Sequence, residues 1–324
     1  MGLFDEQISR KPNNYPWTQD YIDKMWHGFW TPNEFDFKSD YSQFKKEMPE
    51  NKKRMTVKAL SAIGQVEIAV KRFWANLGNN LPHPSMFDLG FVMANTEVIH
   101  NQAYEKLLDK LKLNKAFEEN LKEPVVGNRV AYLRKYLDKV YADNKKQYIY
   151  SIILFTLFVE NVSLFSQFYI VLWQNRYDNV LKDTAQQVQY TRNEEMIHAL
   201  VGIKIINTLK EEYSELFDSD LYDRIREETN EAFKAESAII DWMLQDVDYD
   251  GLNPDVLKEF VKDRINQSLI QIGMTAVFNT DEALLEKTQW FNEELLGNNM
   301  VDFFFKKPVE YAKKNKVIDE DSLF

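Results

Sequence analysis

The sequence predicts an all-α fold. Long patterns of helical period follow one another along most of the 324 residues, candidate strands are scarce, and helix breakers are few, with 10 Gly and 9 Pro. Aromatic residues make up 14% of the chain, which favours helices around a bulky interior over a β-rich fold. The length prior is about two domains. No internal repeat or low-complexity linker divides the chain, however, so one helical domain with one large core is the economical reading.

The elements follow in order. Pro12, Pro16, Pro32 and Pro49 punctuate the first fifty residues, leaving one short helical pattern near Thr18 to His27. Longer patterns cover Lys53 to Leu77 (closed by Gly78), Ser85 to Leu111, Asn128 to Ala142, Lys146 to Trp173, Val180 to Leu209, Ser219 to Gln245 and Pro254 to Gly273. A shorter one covers Asp281 to Leu296. The expected organisation is an N-terminal segment, 1–50, packed on a helical domain, 51–300, with a charged mobile tail, 301–324.

Composition excludes several classes. With 40 basic and 51 acidic residues the formal charge is −11, and no basic cluster offers a nucleic-acid surface. There is no cysteine, which removes disulfides, thiolate metal sites and thiol chemistry, and fits a reducing, cytoplasmic setting. MGLFDEQISRK has no basic start followed by an apolar core, so no signal peptide is expected. Myristoylation of Gly2 is not expected either, because position six is Glu6. Tyr148 to Trp173 is long enough to span a bilayer, but Glu160, Asn161 and Gln167 interrupt it. It is expected to be the central helix of a bundle rather than a membrane span.

Chemistry concentrates in few residues. In FVMANTEVIHNQAY, Glu97, His100 and Tyr104 share one helix face. A second Glu-x-x-His occurs at Glu195 and His198, so two of the four histidines follow a Glu by three. A solvated face would explain either motif alone. Glu67 and Glu160 sharpen the pattern. Glu67 lies on the stripe of Leu60, Ile63, Val66 and Val70, and Glu160 lies inside the most apolar helix. An unpaired buried carboxylate is costly unless it is protonated or bound to something. Two helices thus offer one Glu each, and two offer Glu-x-x-His. This is the ligand arithmetic of a dinuclear carboxylate site in a ferritin-like bundle. Four carboxylates and two imidazoles suit two iron or manganese ions. His27 and His83 read as plain surface residues. DVDYDGLNPDVL starts like a calcium loop, but Leu257 stands where a bidentate Glu is required, so it reads as an acidic turn.

Taken together, the chain resembles the small, radical-generating subunit of class I ribonucleotide reductase over most of its length. GFWTPNEFD (Gly28 to Asp36), the two Glu-x-x-His helices, Tyr104, DFFFKKPVEY (Asp302 to Tyr311) and the tail ending in Phe324 carry the likeness. The resemblance implies metal ligands Glu67, Glu97, His100, Glu160, Glu195 and His198. It implies Tyr104 as the radical tyrosine, Trp30 and Tyr311 on the transfer route, and Glu194 as the acid linking Trp30 to His100. It also implies a homodimer, and docking of the terminal IDEDSLF on a large subunit that reduces ribonucleotides. Two departures matter. Glu67 stands where di-iron members with a stable tyrosyl radical usually have Asp, which favours a dimanganese centre and leaves di-iron and Mn/Fe open. Lys71, one turn after Glu67, either reaches toward the metals or pairs with Glu67 at the surface. Other readings of the same scaffold are a ligand-binding oxidase or monooxygenase, a metal-storage bundle, and a metal-free scaffold.

Overall fold

The computed structural model describes residues 2–64, 67–137 and 144–295, and the side chains at 67–69, 134–137 and 295 lie outside that description. Among the described residues the elements are helices, joined by turns with one isolated β-bridge between Tyr249 and Leu252. They run α1 Trp17–His27, α2 Lys38–Lys46, α3 Glu50–Ile63, α4 Glu67–Ala75, α5 Leu77–Asn80, α6 Pro84–Leu111, α7 Asn114–Asn120 and α8 Pro124–Leu137. Then come α9 Lys145–Leu154, a π-helical stretch Phe155–Ser163, α10 Phe165–Asp178, α11 Lys182–Glu212, α12 Ser219–Met243, α13 Pro254–Gln271, α14 Glu282–Glu286 and α15 Gln289–Leu295. One hydrophobic cluster reaches from Leu3 to Phe291 and joins them.

Several boundaries differ from the expected ones. The pattern over Lys53 to Leu77 is two helices, with α3 ending at Ile63, capped by Gly64, and α4 ending at Ala75. Gly64 packs against the Phe117 ring of α7, where an added Cβ would sit 3.2 Å from it. Gly78 does not close α4 but lies within α5, under the ring of Phe87. α8 begins at Pro124, a residue pre-organised for a first helical position. The last pattern divides into α14 and α15. Two short helices, α2 and α7, were not expected. His83 is buried rather than at the surface. Its Nδ1 accepts from Ser85 N at 3.1 Å and caps α6, while its ring meets Tyr15 edge-on.

The apolar run from Lys145 to Asp178 is the one described helix long and apolar enough to cross a membrane, and its whole apolar window is buried inside the fold. Its middle is π-helical, a form that widens the turn and leaves carbonyls to be satisfied from outside. Arg264 of α13 donates to Asn161 O at 2.8 Å and to Asn161 Oδ1 at 2.7 Å. Arg129 of α8 donates to Ser163 O, and its Nε donates to Glu236 Oε1 at 2.9 Å. Buried guanidiniums from two helices thus hold the stretch that carries Glu160.

Glycine sets how closely the site helices approach. At Gly90 of α6 a Cβ would come within 2.5 Å of Trp74 O, so α4 and α6 meet backbone to backbone. At Gly202 of α11 a Cβ would collide with the Thr156 side chain of the π stretch. Gly202→Ala is therefore expected to cost about 1–3 kcal/mol, because an overpacked core must shift. Chemical denaturation of the metal-free protein would show this as a lowered midpoint.

The start of α11 is held from the N-terminal segment. Buried Asp40 of α2 accepts from both Thr184 N and Thr184 Oγ1 at 2.7 Å, placing a carboxylate on the helix's orphan N–H groups. In return Asp183 accepts from Phe37 N at 2.9 Å. Lys106 of α6 donates to Pro32 O at 2.7 Å. Together these four bonds lay residues 32–40 across α6 and the start of α11.

Candidate metal centre

Three elements bring described acidic and imidazole side chains to one place. Glu97 and His100 lie three apart on α6, Glu195 and His198 three apart on α11, and Glu160 lies in the π stretch. All five are buried to within 1%. Donor atoms of Glu97, Glu160, Glu195 and His198 fall within 4.8 Å of one another. α4 carries Glu67 alongside α6, with its side chain outside the described residues.

The contacts divide the donors into two groups. His100 Nδ1 faces Glu97 Oε2 at 3.3 Å and Glu195 Oε1 at 3.1 Å. His198 Nδ1 faces Glu97 Oε1 at 2.9 Å, Glu195 Oε2 at 3.4 Å and Glu160 Oε2 at 3.8 Å. Glu97 and Glu195 therefore each turn one oxygen to each imidazole, while Glu160 contacts His198 alone. Two carboxylates between two imidazoles is a bridging arrangement, with Glu160 on the His198 side.

The electrostatics show what such a cluster requires. Burial opposes charge on His100, but bonds to Glu194, Glu195 and Glu97 outweigh it and hold the imidazole well above its usual range. His198 is likewise raised, against burial, by Glu160, Glu195 and Glu97. Burial, and then the charge of Glu195, push Glu160 well up. Glu195 is held low although burial opposes it, because both imidazoles lie beside its carboxylate. Without a cation, protons must be shared among these groups. Glu97 Oε1, both Glu195 oxygens and both His198 nitrogens lack a hydrogen bond of proper geometry. Buried donor atoms facing one another without hydrogen-bond geometry, rich in carboxylate and free of thiolate, fit two hard or borderline divalent cations. Counting Glu67, four ligand carboxylates would balance the charge of two such ions.

Around this cluster, Glu194 links outward. His100 Nε2 donates to Glu194 Oε2 at 2.8 Å, and Trp30 Nε1 donates to the same oxygen at 2.8 Å. This places the imidazole hydrogen on Nε2 and leaves Nδ1 as the donor atom toward the cluster. Trp30 is 1% exposed and stacks on His100 with centroids 6.3 Å apart. Tyr104 is buried one turn beyond His100. Lys71 Nζ donates to Asn101 Oδ1 at 3.0 Å, so its ammonium is engaged by the residue next to His100. Tyr311 and the rest of 301–324 lie outside the described residues. Sequence reasoning missed Trp74 of α4, whose Nε1 donates to Glu160 Oε1 at 2.7 Å and whose ring lies 5.7 Å from that of His198. Its one signal was its place two turns after Glu67 on the same face, where a Trp reads as ordinary core.

Fold and site together define a dinuclear carboxylate protein built on a ferritin-like bundle. Residues 7–286 match the family model for the ribonucleotide reductase small chain, so the chain belongs to that family. A protein of Invertebrate iridescent virus 3, described as a probable ribonucleoside-diphosphate reductase small subunit, is 24% identical over 97% of this chain and 86% of its own. The fold is that of the ribonucleotide reductase R2 subunit from Clostridium botulinum, with TM-score 0.82 at 18% identity, over 91% of this chain and 94% of that one. A dimanganese(II) NrdF from Streptococcus sanguinis shares it with TM-score 0.70 at 12% identity, over 88% of this chain and 99% of that one. Family membership makes the chain the small subunit of a ribonucleoside-diphosphate reductase. It generates an oxidising equivalent that the large subunit uses to reduce ribonucleotides to deoxyribonucleotides. The oxidase and storage readings of the scaffold are set aside.

Proposed function

We propose that Glu67, Glu97, His100, Glu160, Glu195 and His198 hold two metal ions, and that the oxidising equivalent leaves along His100, Glu194 and Trp30. Bound there, two redox-active cations supply the one-electron oxidant. The protein's part is to exclude water, to fix which imidazole nitrogen faces the ions, and to connect His100 to an oxidisable ring. One observation carries this reading: a single oxygen of Glu194 accepts from both His100 and Trp30, at equal distance. Trp30 has no such bond to any other described residue.

Manganese is the favoured metal. Its support is Glu67 in place of Asp, together with a fold shared by a dimanganese protein. Metal analysis with electron paramagnetic resonance of protein from its native host tests this. A high-valent manganese signal supports it, and iron as the loaded metal overturns it; a stable tyrosyl radical on Tyr104 would instead overturn direct oxidation by the metals. Lys71, bonded to Asn101, would then tune His100 through its neighbour.

Beyond Trp30 the route continues to Tyr311 on the tail, whose terminal IDEDSLF docks on the large subunit, with the small subunit a cytoplasmic, membrane-free homodimer. Tyr311→Phe is expected to abolish turnover while two metals per chain still load. Full turnover in that variant would remove Tyr311 from the route.

A further inference from the structure

Trp30 is nearly sealed from solvent, so a hole on it must leave through a neighbouring ring. Among the described residues its ring neighbours are Phe35 at 5.9 Å, His100 at 6.3 Å and Tyr190 at 5.7 Å. Phenylalanine is too hard to oxidise for this task, and His100 lies back toward the metal centre. Tyr190 is the oxidisable ring on the outward side.

Its placement follows from the helix that carries the site. Tyr190 precedes Glu194 by four on α11, so the carboxylate bonded to Trp30 and the ring packed on Trp30 share one face. The Tyr190 ring also packs on Phe35 at 5.7 Å and is half-buried, bridging the closed interior and the surface. Gln186, one turn earlier, donates to the phenol oxygen at 3.2 Å and holds the ring's rim in place. The phenol stays protonated at neutral pH. Burial raises it, and the Glu34 charge adds to that against the opposing bond from Gln186.

We propose that Tyr190 is a redox relay between Trp30 and the protein surface, on the way to the large subunit. This rests on the reading that Trp30 carries the hole. One electron passes from the phenol of Tyr190 to the oxidised indole of Trp30, restoring the tryptophan. The phenol proton leaves at the same time to water at the exposed edge of the ring, giving a neutral tyrosyl radical. On the return both reverse.

The test uses the full chain, loaded with metal and mixed with large subunit and nucleotide substrate. The variants are Tyr190→Phe, Trp30→Phe and a chain with 3-aminotyrosine at 190, whose lower potential traps the hole. Metal content is measured in each. Tyr190→Phe removes one hydroxyl and keeps the ring packing, so its fold is preserved. Expected are loss of turnover in both Phe variants with metal retained, and an aminotyrosyl resonance at 190 that vanishes when Trp30→Phe is added. Turnover at the unmodified rate in Tyr190→Phe, or no trapped radical at 190, overturns the relay while Trp30→Phe still kills turnover. Undiminished turnover in Trp30→Phe overturns the underlying route instead.

Discussion

Replacing Glu160 with Ala is expected to lower metal uptake from two ions per chain to one or fewer and to abolish radical generation. Glu160 contacts His198 but not His100 in the donor cluster, so its loss falls on the His198 side. That side would keep one imidazole and the two shared carboxylates. The substitution has a second, purely structural effect. Trp74 Nε1 loses the acceptor it has in Glu160 Oε1, and a buried unpaired N–H costs about 1–3 kcal/mol. Glu160→Gln separates the two effects. The amide oxygen still accepts from Trp74, so stability recovers, but the charge that attracts a divalent cation is gone, so uptake does not. Equilibrium dialysis with manganese or iron, beside a denaturation curve of each metal-free variant, reads both. Two tightly held ions in Glu160→Gln would remove Glu160 from the ligand set.

Much of this arrangement could be read before the fold was known, for a specific physical reason. A carboxylate amid apolar residues carries a desolvation cost, so Glu160 stands out from its helix without any knowledge of its partners. Glu97 with His100, and Glu195 with His198, stand out because a three-residue step puts two side chains on one face. What could not be read depends on distant pairing. Asp40 caps α11 across 144 residues, and no local pattern connects them. His83 looked like a loop residue because its burial against Tyr15 is set by how the N-terminal segment lies over α6. α2 and α7 are short and largely polar, and their helical pattern was too weak to see. The break after α3 hid because a single Gly is tolerated in a helix at a cost of about 1 kcal/mol, and only the Phe117 ring beside Gly64 gives it a role. Trp74 and Tyr190 illustrate the same limit at the site. An aromatic at helical spacing reads as core, and only its distance to Glu160 or Trp30 places it beside the site.

Glu194→Gln is expected to uncouple the metal centre from Trp30 at modest cost to the fold. Removing the side chain altogether would strand two buried donors, His100 Nε2 and Trp30 Nε1, and confuse a structural loss with a functional one. Glutamine keeps the length and one acceptor oxygen, so both N–H groups can still be satisfied. What it lacks is the charge. A carboxylate behind a ligand imidazole raises that ligand's basicity, and replacing such a partner typically weakens metal binding or activity by roughly 10–100-fold. Metal affinity by chelator competition should fall within that range, while on the proposed route turnover with the large subunit falls further, because the carboxylate would also stabilise positive charge developing on Trp30. Glu194→Asp is the informative companion. It restores the charge and shortens the arm by one methylene, so affinity should recover more than turnover, which depends on one oxygen reaching both partners. The contrast with Glu160→Ala then separates two jobs: that variant loses the metals, whereas Glu194→Gln keeps them and loses the exit. Equal turnover in Glu194→Gln and the unmodified chain would mean that the shared oxygen serves only to orient His100.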